Sequence, residues 1–235
     1  MALVLLLLNV LIDGGATVVV TARSTHSQTP AGAIFVKGDL SSKEGAEAVA
    51  REAISKLGGL DILVHCVGAA RVQLTSIDQI PEEEWLDSLE INFLAALRIT
   101  NAVLPTLKAT PKSSIVYVSA GGLTPFGTPL AHYGVAKAAL NNYSQNLAKE
   151  LAPLGIRVNV VTPGPIITPG GDEVRNTIKS AMGITDEQFF SGVPLQGRGG
   201  NANELAEPIA FLVSDSASYI TGHNHFVTGG WGELV

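Results

Sequence analysis

Residues 114–164 read SIVYVSAGGLTPFGTPLAHYGVAKAALNNYSQNLAKELAPLGIRVNVVTPG. The run from Ser114 to Val118 is β-branched and aromatic with no polar alternation, the pattern of a strand buried on both faces. An alanine-rich segment around Tyr133 comes next, and it predicts a helix that stops before Pro153 or Gly155. Residues 156–161 are again apolar and β-branched, and Thr162, Pro163, Gly164 and Pro165 lead away from them. Strand, helix and strand at this spacing make a βαβ unit, which implies a parallel pair joined by a right-handed crossover.

The rest of the chain repeats that alternation. Further strands are predicted at 16–20, 33–36, 60–64 and 225–227. Ser41 and Glu44 form an S-x-x-E capping box ahead of a helix carrying Ala46, Val49, Ala50, Ala53, Ile54 and Leu57 at helical spacing, and Gly58 and Gly59 stop it. Pro81 before Glu82, Glu83 and Glu84 starts another helix, which runs past Trp85, Leu89, Asn92 and Ala96 toward Leu104. Asn203 caps a last helix through Leu212, bent by Pro208. Residues 169–200 are glycine-rich and irregular, with one or two short helices. No repeat or linker divides the chain, so a single domain over 1–235 is expected, with a parallel sheet and ligands beyond the carboxyl ends of its strands.

Composition narrows the partners. A chain of 235 residues suits one α/β core, and 46% hydrophobic with only 15% charged residues suits a sheet buried under helices. The net charge of −6, with no lysine or arginine cluster, argues against nucleic acid. Cys66 is the only cysteine, so no intrachain disulfide exists and a reducing, cytoplasmic setting is expected. Residues 1–12 are apolar apart from Asn9, yet they lack a positive n-region and a cleavage site. They are also shorter than the ~20 apolar residues of a spanning helix. They read as a buried strand running straight into a buried helix that ends at Asp13, Gly14 and Gly15, with membrane association a minor alternative.

Tyr133 and Lys137 lie one helical turn apart on one face. An ammonium beside a phenol favours the phenolate, so the pair is a candidate general acid/base unit. Taken alone, the same spacing more often marks a half-buried ring and a solvated charge. His65 and Cys66 have no companions at metal-ligand spacing and read as packing residues.

Taken together and in order, several motifs resemble the short-chain dehydrogenase/reductase family. They are Asp39 and Leu40 at a strand end, His65 to Gly68, Asn92 between Ile91 and Phe93, the serine region after Val118, and Tyr133 with Lys137. Pro163, Gly164 and Thr168 come next, then Thr221 with Gly222 and Gly229 with Gly230. The resemblance spans residues 16–230. It implies a doubly wound, Rossmann-type parallel sheet of about seven strands in three α/β/α layers. It also implies an NAD(P)-dependent oxidoreductase that moves a hydride between the cofactor and a ketone or secondary alcohol.

In that reading Tyr133 is the general acid/base, and Lys137 lowers its pKa and binds the nicotinamide ribose. Ser119 holds the carbonyl oxygen, and Asn92 holds a water that relays protons. Arg23 and Ser24 end the second strand, and Arg23 suits a 2′-phosphate, favouring NADP with NAD possible. Asp39 and Leu40 would meet the adenine, Val67 and Gly68 the cofactor backbone, and Pro163, Gly164, Ile166 and Thr168 the nicotinamide. Residues 169–200 would form a substrate-covering lid. Phe126, Phe189, Phe190 and Leu195 are candidates for an apolar pocket. A homodimer or homotetramer is implied, with the Trp85 and Tyr133 helices at one interface.

Two departures stand out. The family's serine falls at Ala120, one residue after Ser119, so Ser119 serves only if the chain after it re-aims the hydroxyl. The family's opening strand and Thr-Gly-x-x-x-Gly-x-Gly turn, which cradle the pyrophosphate, have no counterpart in this sequence. An alternative therefore stands beside the enzyme: a catalytically impaired subunit of the same fold that binds a ligand or serves assembly.

Overall fold

The computed structural model describes residues 2–25, 29–121 and 127–232. It opens in helix α1, Ala2–Asp13, and not in a strand. The leucines of this segment, unbranched at Cβ, favour helix over the pleated backbone that β-branched side chains prefer. Strands β1 (Val18–Ala22) and β2 (Ala33–Lys37) follow, then helix α2 (Lys43–Leu57) and strand β3 (Ile62–His65). A long helical run comes next: α3 (Glu82–Leu89), a π-turn over Glu90–Leu94, and α4 (Ala95–Ala109). Strand β4 (Ser114–Val118), helix α5 (Ala131–Leu151) and strand β5 (Arg157–Pro163) reproduce the βαβ unit expected from the sequence. The chain continues through β6 (Ile166–Ile167), α6 (Pro169–Met182), α7 (Asp186–Phe190), β7 (Gly200–Asn201), α8 (Asn203–Val213) and β8 (Asn224–Val227).

Every strand pairing is parallel. The central layer holds six strands in two ladders, β2–β1 and β3–β4–β5–β8, while β6 and β7 form a separate two-residue pair. Helices α2, α4 and α5 cover one face, where Val36, Val49, Ile99, Leu107, Tyr117 and Leu140 form one buried cluster. Helices α1 and α8 cover the other, where Leu7, Val116, Val118, Leu205 and Ile209 form a second. The result is the expected Rossmann-type three-layer sandwich, with the central sheet divided in two. Among the described residues no helix is long and apolar enough to cross a membrane.

Several local expectations shift. The cap of α2 is Ser42, whose hydroxyl accepts from Gly45 N, while Ser41 N donates to Asp39 instead. Residues 169–200 are less irregular than their glycines imply. Thr168 caps α6 by accepting from Gly171 N, Pro169 opens the first turn, and Gly183 closes the helix in the left-handed region. Gly170 and Gly171 sit in that first turn, where the cap replaces missing helical bonds. Asn203 is the first residue of α8 and not its cap, and the Glu204 carboxylate accepts from Asn201 N at 2.7 Å. Trp85 packs edge-on to His132 within the same chain. Leu86 and Val135 face outward from the two helices instead.

Candidate active site

Helix α5 carries Tyr133 in its first turn and Lys137 in its second. Lys137 is 3% exposed, and its Nζ donates to the Val118 carbonyl at 3.1 Å, at the end of β4. That amine stands 5.8 Å from the centre of the Tyr133 ring. The two groups therefore face one another across the expected turn. Burial pulls the Lys137 ammonium down from 10.5 to about 8. The half-buried Tyr133 phenol is pushed above its ordinary 10 by the same cause. The depression of the phenol expected from its cationic neighbour is thus outweighed by desolvation.

Gly68 lies directly against this amine. A Cβ added there would come within 3.1 Å of both Lys137 Nζ and Asn92 Oδ1. An alanine there would press one of the two side chains aside by a few tenths of an ångström. Asn92 is fully buried in the π-turn and clamps the strand end: its Nδ2 donates to the Ala69 and Ser88 carbonyls, and its Oδ1 accepts from Ala69 N. Two bonds of 2.9 and 3.0 Å tie the helix to the loop that leaves β3, and the third stays within the helical run. The asparagine is thereby satisfied by distant backbone as well as by its own helix. The Val118 carbonyl and the Ala69 backbone are the site groups that sequence reasoning missed. Main-chain partners carry no side-chain signal, and only the sheet register locates them.

Ser119 comes directly after Val118, the residue that anchors the lysine. Its N–H donates to the Val161 carbonyl at 2.8 Å, and its hydroxyl is buried with no hydrogen-bond partner among the described residues. Leaving such a hydroxyl unpaired costs about 1–3 kcal/mol. Residues 122–126, and with them Phe126, lie outside the described residues. Ala120 is half-buried.

At the far edge, Arg23 and Ser24 are exposed just beyond β1. Asp39 is exposed beyond β2, and its carboxyl is held below its usual range by the bond from Ser41 N, with the Arg23 charge a smaller contribution. Leu40 packs against the core, and its carbonyl accepts from Arg98 at 3.3 Å. Val67 is 39% exposed beside Gly68. On the opposite flank Pro163 ends β5, and Gly164 N donates to the Val227 carbonyl at 3.0 Å. A Cβ on Gly164 would collide with the Thr228 backbone at 2.8 Å, which accounts for the glycine by packing alone. Ile166 pairs with Gly200, and the Thr168 hydroxyl is engaged as the α6 cap. A cavity of about 90 Å³ opens here between Pro165, Ile166, Val193, Leu195, Arg198 and Val227. Of the proposed apolar lining only Leu195, among the described residues, reaches it; Phe190 is buried and meets Phe189 edge to face.

His65 is buried beside the Tyr117 ring, and burial together with the Lys137 charge pushes it down to about 3. Burial pushes the Cys66 thiol up to about 12. Both are uncharged and packed.

The family model described as enoyl-(acyl carrier protein) reductase matches residues 9–232. The uncharacterized oxidoreductase YghA of Escherichia coli strain K12 is 35% identical over 202 residues, which cover 84% of this chain and 64% of that protein. The match thus spans less than two thirds of this relative's length. The 3-oxoacyl-(acyl-carrier-protein) reductase FabG of the same organism is 36% identical over 187 residues, covering 78% of this chain and 71% of its own. Among solved structures, the 3-ketoacyl-(acyl-carrier-protein) reductase of Brucella melitensis, complexed with NADH, is 27% identical with a TM-score of 0.82, covering 96% of this chain and 91% of its own. The L-sorbose reductase of Gluconobacter frateurii, complexed with NADPH and L-sorbose, is 26% identical with a TM-score of 0.87, covering 100% of this chain and 94% of its own.

The buried amine makes a stability prediction. The folded pKa of about 8 lies below the ordinary 10.5, so between these values the unfolded chain holds a proton that the folded chain has released. The penalty is full below pH 8 and fades as pH rises toward 10.5. At about 1.4 kcal/mol per unit, less the lost bond to Val118, Lys137→Met should stabilise the ligand-free protein by roughly 1–2 kcal/mol at pH 7. Urea denaturation at pH 7 and at pH 9.5 checks this, and the gain should shrink at the higher pH.

Proposed function

The chain belongs to the short-chain dehydrogenase/reductase family, and from that premise we propose that it is an oxidoreductase moving a hydride between NADP(H) and a ketone or secondary alcohol. The observation that carries the reading is the buried Lys137 amine held over the Tyr133 ring by the Val118 carbonyl. A bound nicotinamide supplies or accepts the hydride. Everything else falls to the side chains of this protein.

In the reducing direction the Tyr133 hydroxyl donates a proton to the oxygen that gains charge, and in the oxidising direction it takes that proton back. Lys137, charged below pH 8, stabilises the phenolate left behind. The unpaired Ser119 hydroxyl is free to hold the carbonyl oxygen in place. Asn92 acts as a positioning residue, since its bonds to Ala69 hold the backbone next to Gly68 against the amine. The buried amine beside Gly68 supports a nicotinamide and its ribose at this end.

At the other end the exposed Arg23 offers a guanidinium to a 2′-phosphate, which supports NADP over NAD. Complexes of relatives with NADPH and with NADH support a nicotinamide cofactor of either kind. Asp39, Leu40, Val67, Gly68, Pro163, Gly164, Ile166 and Thr168 line the path between the ends, and residues 169–200 cover the substrate. Leu86 and Val135 on the outer faces of α3 and α5 suit a homodimer or homotetramer contact.

Tyr133→Phe should lower turnover of a ketone with NADPH by about 10²–10⁴ while leaving cofactor affinity within a few-fold, measured by absorbance kinetics and nicotinamide fluorescence titration. Arg23→Glu should weaken NADPH binding by roughly 10–100-fold and leave NADH binding nearly unchanged, because one charge-assisted phosphate contact is worth about 1.5–3 kcal/mol.

A further inference from the structure

Strand β8 ends its ladder at the edge of the sheet and carries two histidines, His223 just before its first residue and His225 within it. Side chains two apart on a strand share a face. Here the ring centroids lie 4.7 Å apart, with the planes tilted by 46°. His223 is exposed and His225 half-buried, so the pair opens to solvent on one side.

The backbone beneath the pair is pinned. His223 N donates to Asn159 Oδ1 at 3.3 Å, and the His223 carbonyl accepts from Val160 N at 2.9 Å. Between the two histidines, Asn224 Oδ1 accepts from the Thr162 hydroxyl at 2.6 Å. His225 stands level with Val161 in the parallel register and two residues before Val227, and both valines belong to the apolar layer that includes Leu205 and Ile209 of α8. Packing alone does not call for an imidazole in that row. Its Nε2 is buried with no hydrogen-bond partner among the described residues, a condition that folds seldom leave without a reason. Burial, with the His223 ring a smaller contribution, holds His225 below its ordinary 6.5. The neutral ring is the form that binds metals.

The spacing matches a shared ion. Two imidazoles bound through nitrogen at about 2.0–2.1 Å, at an angle between roughly square and tetrahedral, hold their ring centroids about 4.5–5.2 Å apart. The observed 4.7 Å falls in that interval. Donor type then selects the ion. Imidazole suits zinc, copper and nickel, whereas calcium and magnesium take oxygen ligands. Among the described residues no group of three or more His, Cys, Asp or Glu side chains could hold a metal ion, so the pair has only water to complete a coordination shell.

We propose that His223 and His225 form a two-histidine chelate at the sheet edge for one divalent cation of the zinc, copper and nickel class, with one nitrogen from each ring. The pinned backbone and shared face present both rings together, which lowers the ordering cost of binding. The chelate does not depend on the oxidoreductase reading, and its test reads no turnover.

The test titrates zinc chloride into the protein by calorimetry and follows the histidine ring signals by NMR. One zinc should bind per chain, excess magnesium should not displace it, and the His223 and His225 signals should move together. His223→Ala and His225→Ala should each weaken binding by at least about 10-fold, the lower end of what loss of even an outer-shell partner costs. His26→Ala, which removes a histidine elsewhere in the chain, should change nothing. Because His223 is exposed, its variant keeps the test standing if the His225 variant fails to fold. Binding that survives His223→Ala, binding lost in His26→Ala, a response confined to one of the two rings, or no binding at all would overturn the chelate.

Discussion

An ammonium held out of water at the end of β4 is the constraint around which the site is arranged. Burying a cation costs several kcal/mol unless something compensates. Among the described residues the compensation is thin, one hydrogen bond to the Val118 carbonyl and the face of the Tyr133 ring 5.8 Å away. The neighbours do not supply a counter-charge, since His65 and Cys66 are both driven neutral by the same burial. A cation kept short of anions stabilises whatever anion forms beside it. In the proposed reaction that anion is the Tyr133 phenolate, whose phenol burial holds in its protonated form beside the amine. The same shortage makes the ligand-free protein less stable than an apolar substitute would, a frequent cost of a working site.

Sheet register does the positioning. Val118 turns its carbonyl to the amine because β4 is locked between β3 and β5 in parallel phase. Gly68 and Ala69 leave β3 at the same level, and Asn92 fastens them from the π-turn of the long helix. A π-turn adds one residue to a turn and rotates the next stretch of helix relative to the last. Asn92 is thereby carried toward the strand end while the rest of the helical run stays packed in the core. Three elements distant in sequence thus converge on one amine.

Much of this was legible in the residues. Continuous β-branched runs at 114–118 and 156–161 gave the buried strands, and glycines after Leu57 gave the end of α2. Tyr133 and Lys137 were visible by spacing alone. Other features were hidden because they depend on competition between neighbours. Ser41 and Ser42 are equally good caps, and the choice fell to Ser42 once Asp39 took the Ser41 amide. Glycines 170 and 171 suggested an irregular segment, but a capped first turn tolerates them. By hydropathy the leucine-rich start reads as a buried strand running into a buried helix, while its side-chain shape selects helix from Ala2 to Asp13. The direction of the Tyr133 shift also escaped, because burial is not written in a four-residue spacing.

The central claim is that Lys137 is a buried, destabilised cation available to a neighbouring anion. The direct measurement is an NMR titration of the protein carrying ¹³Cε-labelled lysine, with the Lys137 signal assigned by substitution. A midpoint near 8, well separated from the other lysines, is the expected result. A midpoint at the ordinary 10.5, merged with the solvated lysines, would contradict the account.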